Sequence, residues 1–375
     1  MKVLFLTNVP SPYRVDFFNE LGKLCDLTVL YELKYATDRN GNWKGNNAEN
    51  FNEIFLRGKR INYDSALCFS VIKHLRDKSY DIIVVGGYST PTGMLAIEYL
   101  KLKGIKFIIS CDGGIIKEDN RLKYAIKKHY MGSATAWLST GLNTSEYLLN
   151  YGARKNKIFT YPFTSLKDED IIDKILSNDK KQSIRNDLGM KEKYIIISVG
   201  QFIHRKGFDI LIKSMKELSS NVGVYIVGGE PTDEYKKLKE EYKLDNLHFE
   251  GFKTKEELVM YYKAANMFVL PTREDIWGLV INEAMATGLP VITTDKCVAG
   301  MELIIEGENG YIVPIDDINK LAVAINKIIN NENIMLSMAN NNLMKIKDYT
   351  ISKMAIEHFK IFENILNLNK ITSKD

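Results

Sequence analysis

Cysteine and proline are scarce, 4 and 8 in 375 residues. Cys25, Cys68, Cys111 and Cys297 form no CxxC pair, and no histidine or cysteine stands at zinc-ligand spacing. That argues against a disulfide-stapled scaffold and a structural zinc site, and the four read as reduced thiols of a cytoplasmic protein. No apolar run reaches the roughly 18 residues a spanning helix needs. The opening MKVLFLTNVPSPYR is interrupted by Asn8, Pro10 and Pro12 and lacks the pattern of a signal peptide. The five histidines (His74, His129, His204, His248 and His358) are scattered, none beside a nucleophile motif, so no metal site is expected. Neither half has GxGxxG after its first strand, which argues against a dinucleotide-dependent dehydrogenase.

What is present is ordinary for a folded chain: 45% hydrophobic and 26% charged residues. The length, about two and a half domains of roughly 150 residues, predicts two domains or one large barrel. The net charge of +4 hides an asymmetry. Residues 1–165 carry 23 Lys or Arg against 15 Asp or Glu, and the remainder 28 against 32. A basic first half and an acidic second half point to different partners.

Apolar strand-like runs recur at Lys2–Thr7, Leu27–Tyr31, Phe51–Leu56, Asp81–Val85, Lys106–Ser110 and Ala134–Ser139. Helical patterns at 14–24, 64–77, after Pro91 and at 120–130 separate them, with an Asn- and Gly-rich loop at 40–50. This alternation predicts a parallel sheet covered on both faces. It breaks over the charged stretch 165–190, then restarts at Tyr194–Val199, Gly223–Val227, Asn246–Glu250, Met267–Leu270 and Pro290–Thr293. The break favours two domains over a (β/α)₈ barrel: 1–164, 165–346 and a terminal helix over 347–375. That helix carries Ile351, Met354, Ile356, Phe359, Phe362 and Ile365, and it either stays on the second domain or crosses back to the first. The last residues, ITSKD, read as frayed.

Three segments of the second half carry chemistry. In VGQFIHRKGFDIL, Gly200 permits a tight turn after a strand, and Arg205 and Lys206 precede a helix whose amides also favour an anion. In PTREDIWGLVINEAMATGLPVI, Asp275 and Glu283 flank Trp277–Gly278, with Glu283 inside an apolar helix where its carboxylate needs hydrogen-bond donors. In CVAGMELIIEGENGYIV, the amides of 298–301 either cap a phosphate or belong to a plain turn before a helix at 301–304. In the first half, Asp112 in SCDGG, Gly86–Gly87, and Tyr13 and Arg14 in PSPYR fall at strand ends, where open sheets place ligands. Arg14 reads either as an anion contact or as an exposed helix-start arginine. Segment 117–129, KEDNRLKYAIKKH, sets Lys117, Arg121, Lys123, Lys127 and Lys128 against Leu122, Ala125, Ile126 and Tyr130. It is either an anionic-membrane contact or a water-facing helix. No stripe of alternating aromatic and basic residues suggests nucleic acid.

The order and spacing of the three second-half segments closely resemble those of the retaining glycosyltransferases of family 4. The resemblance implies a GT-B fold, two Rossmann-like domains with parallel sheets facing across a cleft. It implies a nucleotide-sugar donor, UDP-linked by family frequency, with no divalent metal and no other cofactor. Lys206 and Arg205 would neutralise the diphosphate and Glu283 would bind the ribose. Asp275, one methylene shorter than the family's glutamate, would face the sugar, and Gly278 and Leu279 would offer amides. Gln201 stands where the family often has arginine. The first domain would hold a saccharide or lipid-linked acceptor near Tyr13, Arg14 and Asp112, the last standing where many members have histidine. The expected role is surface-polysaccharide synthesis in the cytoplasm or peripherally on the inner membrane face. The rival readings are a nucleotide-sugar epimerase of the same fold and a non-enzymatic small-molecule binder.

Overall fold

The computed structural model describes residues 1–37 and 47–371, with side chains to 368. Most of the 40–50 loop and the end of ITSKD lie outside the described residues. The chain divides into two units, Met1–Ser165 with Thr350–Asp375, and Leu166–Tyr349.

The first unit runs β1 (Lys2–Thr7), α1 (Pro12–Gly22), β2 (Asp26–Tyr31), β3 (Asn52–Phe55), β4 (Lys59–Arg60), β5 (Ala66–Leu67) and α2 (Val71–Leu75). It continues with β6 (Ile82–Val85), α3 (Pro91–Leu102), β7 (Ile108–Cys111), α4 (Arg121–Met131), β8 (Ala136–Ser139), α5 (Leu142–Asn150) and β9 (Ile158–Thr160). Its main sheet is parallel, ordered β3-β2-β1-β6-β7-β8-β9. Strands rich in Val, Ile, Leu and Phe suit this, because helices bury both faces. One face packs Leu4, Leu6, Val85, Ile109 and Trp137 against α3 and α5 residues such as Ile97 and Leu148.

The second unit contains α6 (Asn178–Asp187), β10 (Tyr194–Val199), α7 (Phe208–Ser214), β11 (Val222–Val227), α8 (Asp233–Glu241), β12 (Leu247–Glu250), α9 (Lys255–Ala264) and β13 (Met267–Leu270). Then come α10 (Leu279–Ala286), β14 (Val291–Thr294), α11 (Val298–Leu303), β15 (Gly310–Val313), α12 (Ile318–Ile329) and α13 (Glu332–Ile346). The sheet is again parallel, ordered β12-β11-β10-β13-β14-β15. Its own core includes Ile196, Phe208, Leu211, Ile226 and Ile325. The strand order reverses between β10 and β13, the kind of switch point at which open sheets place ligands.

The final helix, α14 (Ile351–Ile371), belongs to the first unit and packs on α1. Its buried stripe is Ile351, Met354, Ala355, His358, Ile361, Phe362 and Ile365, while Ile356 is exposed. The apolar spacing missed Ala355, His358 and Ile361.

The helix expected over 64–77 is shorter. A two-stranded hairpin, β4 with β5, occupies its first part, and only Val71–Leu75 is helical. Tertiary hydrogen bonds override local propensity here. The Ala66 amide donates to Glu32 Oε2 at 3.0 Å, and the Cys68 amide donates to Thr92 Oγ1 at 3.0 Å.

Candidate functional site

In the second unit, the turn after β10 and the loop after β13 lie side by side. Gly200 ends β10 beside the Lys206 stem, so a Cβ there would lie 3.2 Å from Lys206 Cε. Residues His204–Lys206 form a single 3₁₀ turn, closed by Gly207 at φ 66°. A Cβ on Gly207 would sit 2.1 Å from the Pro271 carbonyl oxygen, so only glycine lets the turn press against the loop.

Lys206 Nζ lies 2.6 Å from Asp275 Oδ2, and each side chain is only 12% exposed. Arg205 is more open, 3.7 Å from the same oxygen, and donates to the Glu274 carbonyl at 2.6 Å. The two cations and one carboxylate expected from the sequence therefore meet, leaving a net positive site.

Gly278, at φ 101°, caps α10 without a side-chain hydrogen bond. Leu279 opens that helix, whose first-turn amides face outward along its axis. Glu283 sits mid-helix, partly buried, and accepts from the Tyr262 hydroxyl at 3.1 Å. Burial and then the Glu283 charge hold the Tyr262 hydroxyl well above its ordinary range. Trp277 Nε1 donates to Asn282 Oδ1 at 2.9 Å and fixes the loop to the helix. Cys297 lies beneath, donating to the Trp277 carbonyl, and burial pushes its thiol up to about 12.

The possible phosphate cap at 298–301 is not available. Helix α11 begins at Val298, earlier than expected, and the Val298 and Ala299 amides donate to the carbonyls of Asp275 and Trp277. The Met301 amide closes on Cys297.

Sequence reasoning missed Arg273 and Asp209, which brace this turn. The Arg273 guanidinium donates to both Asp209 carboxylate oxygens at 2.9 and 2.8 Å. Burial pushes the Asp209 carboxyl up, but the Arg273 bonds outweigh it and leave the group below its ordinary range. The opposite charges of the two residues are visible in the sequence, but nothing there pairs them.

In the first unit, Arg14 is not an exposed helix-start residue. It is buried, 6% exposed, and its guanidinium bonds Asp112 just beyond β7. Burial pushes the Arg14 guanidinium down, but the Asp112 charge wins and raises it. Tyr161 donates to the other Asp112 oxygen at 3.1 Å. Tyr13 packs edge-on against Phe163, ring centroids 5.7 Å apart. His358 of α14 lies 4.3 Å from the Tyr161 ring, and burial lowers it to about 3, so it is neutral. The described residues thus bring Tyr13, Arg14 and Asp112 together at the C-terminal sheet edge, and Tyr161 and His358 join them.

Helix α4 lies on the surface with only Met131 buried. Leu122 and Ile126 are 72% and 43% exposed among its lysines. Among the described residues no helix is long and apolar enough to cross a membrane. No group of three or more His, Cys, Asp or Glu residues is placed to hold a metal ion there either.

Two parallel, doubly wound units, one carrying a cationic turn and a helix start without a side-chain cap at its switch point, make a GT-B fold. Residues 180–344 match the family model for glycosyl transferases group 1. An uncharacterized glycosyltransferase of Haemophilus influenzae is 30% identical over 182 residues, 47% of this chain and 50% of that protein. One from Methanocaldococcus jannaschii is 26% identical over 332 residues, 79% of this chain and 93% of that one. The capsular polysaccharide biosynthesis glycosyltransferase CapM of Staphylococcus aureus is 28% identical over 219 residues, 56% of each chain. The first and third alignments thus span about half of those relatives' length. Among solved structures, Anabaena HepE in complex with UDP superposes with a TM-score of 0.74 over 100% of both chains, at 16% identity.

Proposed function

We propose that this protein is a glycosyltransferase that moves a hexosyl unit from a UDP-linked sugar to a saccharide or lipid-linked acceptor in surface-polysaccharide synthesis, with retention of anomeric configuration. The observation that carries the reading is the Lys206–Asp275 pair beside the uncapped α10 N-terminus. A diphosphate suits this place, because Lys206, Arg205 and the Gly278–Leu279 amides can share its charge. As the anomeric bond breaks, negative charge grows on the departing phosphate, and these fixed donors stabilise it there. Lys206 exchanges Asp275 for phosphate, which releases the Asp275 carboxylate to accept from sugar hydroxyls. Glu283 accepts from the ribose hydroxyls. Tyr13 and the Arg14–Asp112 pair contact the acceptor. The UDP complex of HepE and the capsular role of CapM support the choice of donor and pathway.

The test is calorimetric titration with UDP, GDP and ADP, without added metal. UDP is expected to bind wild type, and Lys206→Ala and Glu283→Ala to weaken it. No binding by any of the three would overturn the donor reading.

The same reading includes attachment to an anionic bilayer through α4. An ordinary surface helix buries its apolar side, whereas here Leu122 and Ile126 face outward beside Arg121 and Lys128, as interfacial helices do. Co-sedimentation with vesicles containing phosphatidylglycerol is expected, with loss for Leu122→Asp/Ile126→Asp. Equal binding by that variant would remove the membrane contact.

A further inference from the structure

The basic turn His204–Lys206 has little to hold it by itself. It is one 3₁₀ turn between two glycines, Gly200 and Gly207, and the helix after it, α7, is short. Without further bracing of the turn, the backbone that carries Arg205 and Lys206 would sample many positions, and a diphosphate would have to order it on binding.

The fixing comes from Arg273. Its Nη1 donates to the His204 carbonyl at 2.7 Å and to Asp209 Oδ1 at 2.9 Å. Its Nη2 donates to Asp209 Oδ2 at 2.8 Å, and its Nε to Asp316 Oδ1 at 2.7 Å. Its own amide donates to the Arg205 carbonyl at 2.8 Å, and the neighbouring Thr272 hydroxyl donates to the same carbonyl at 2.9 Å. One planar guanidinium therefore ties the start of the turn, Asp209 in the first turn of α7 and the loop after β15 to the loop that carries Asp275. The Arg273 side chain is 16% exposed and Asp209 is 10% exposed, so water competes weakly for these bonds. Asp316 itself stands at φ 60°, a conformation that few non-glycine residues adopt, with its carboxylate on Arg273 Nε.

We propose that Arg273 is a positioning residue for the donor diphosphate: through His204, Asp209 and Asp316 it holds the basic turn so that Lys206 and Arg205 are pre-set for two phosphates. The proposal rests on the donor reading above. Arg273 need not touch the donor. It acts by removing the ordering cost that the turn would otherwise charge against binding. The bidentate fork is what does this, so lysine, with the same charge and no fork, is not equivalent.

The experiment is calorimetric UDP titration of wild type, Arg273→Ala, Arg273→Lys, Lys206→Ala and Arg273→Ala/Lys206→Ala, with far-UV circular dichroism for each. Arg273→Lys and Arg273→Ala are expected to weaken UDP binding by about tenfold with wild-type dichroism, the scale of one charged hydrogen bond. Because Arg273 acts through Lys206 and Arg205, the double variant is expected to bind less than about threefold more weakly than Lys206→Ala alone. A purely structural arginine would instead give losses that multiply. Should Arg273→Ala fail to fold, Asp316→Asn, at a half-exposed partner, is expected to weaken UDP by a smaller factor. Wild-type UDP affinity in Arg273→Lys together with loss in Lys206→Ala would overturn the brace and leave the donor site standing. Fully multiplicative losses would also overturn it. Wild-type affinity in Lys206→Ala would overturn the donor site and the brace together.

Discussion

Lys206 and Asp275 are paired with each other, so on the proposed donor reading a diphosphate competes with Asp275 for Lys206. Their 2.6 Å contact is largely shielded from water, so each satisfies a charge that would otherwise be costly to bury. On that reading the diphosphate displaces Asp275 to reach the ammonium. Asp275→Asn is therefore expected to bind UDP a few-fold more tightly, as measured by titration, while transferring sugar from UDP-glucose or UDP-galactose more slowly. Looser UDP binding would mean that Asp275 supports the phosphate subsite rather than opposing it. Lys206→Ala is expected to lower turnover by about 10² to 10³, the cost of one fixed donor to developing charge. These residues were legible because their chemistry is local in the chain: RKG follows a strand, and Asp275 and Glu283 flank one loop and helix start. Arg273 and Tyr161 were not, because their carboxylate partners lie 64 and 49 residues away and only the fold brings them together.

The turn and the loop after β13 meet through the Gly207 contact. Gly207→Ala puts a side chain into the left-handed region, costing about 1–2 kcal/mol by itself, and drives its Cβ onto the Pro271 carbonyl. Denaturant unfolding of the second unit is expected to shift by at least that amount, and UDP affinity to fall with it. An unchanged midpoint would show that the turn can move away from the loop without penalty. At this scale the strands were the most readable feature, since continuous Val, Ile and Leu runs of four to six residues suit sheets buried on both faces. The segment after β3 does not form one long helix, because its apolar residues serve a hairpin whose Ala66 amide meets the buried Glu32 carboxyl. In α14 the apolar spacing placed the helix, but small and polar side chains complete the stripe that meets α1.

The first unit carries two buried ionisable groups with opposite effects on its stability. Burial raises the Glu32 carboxyl from 4.5 to about 7, so the folded state holds a proton that the unfolded chain releases. Its contribution is full below pH 4.5 and is lost as pH rises to about 7. Burial lowers His358 from 6.5 to about 3, so the unfolded chain takes up the proton first. That contribution is present above pH 6.5 and is lost as pH falls toward 3. Between about 4.5 and 6.5 the two offset each other. Glu32→Gln removes one side of the balance, so scanning calorimetry of the first unit is expected to show a larger fall in Tm from pH 7.5 to 5 than in wild type. Parallel curves would mean that Glu32 ionises alike in both states. The path of the chain has a consequence for how the molecule is made. The second unit is one continuous stretch, whereas the first needs α14 against α1. During synthesis the second unit can therefore finish folding while the first waits, with the α1 face around Phe17 uncovered, until α14 has left the ribosome.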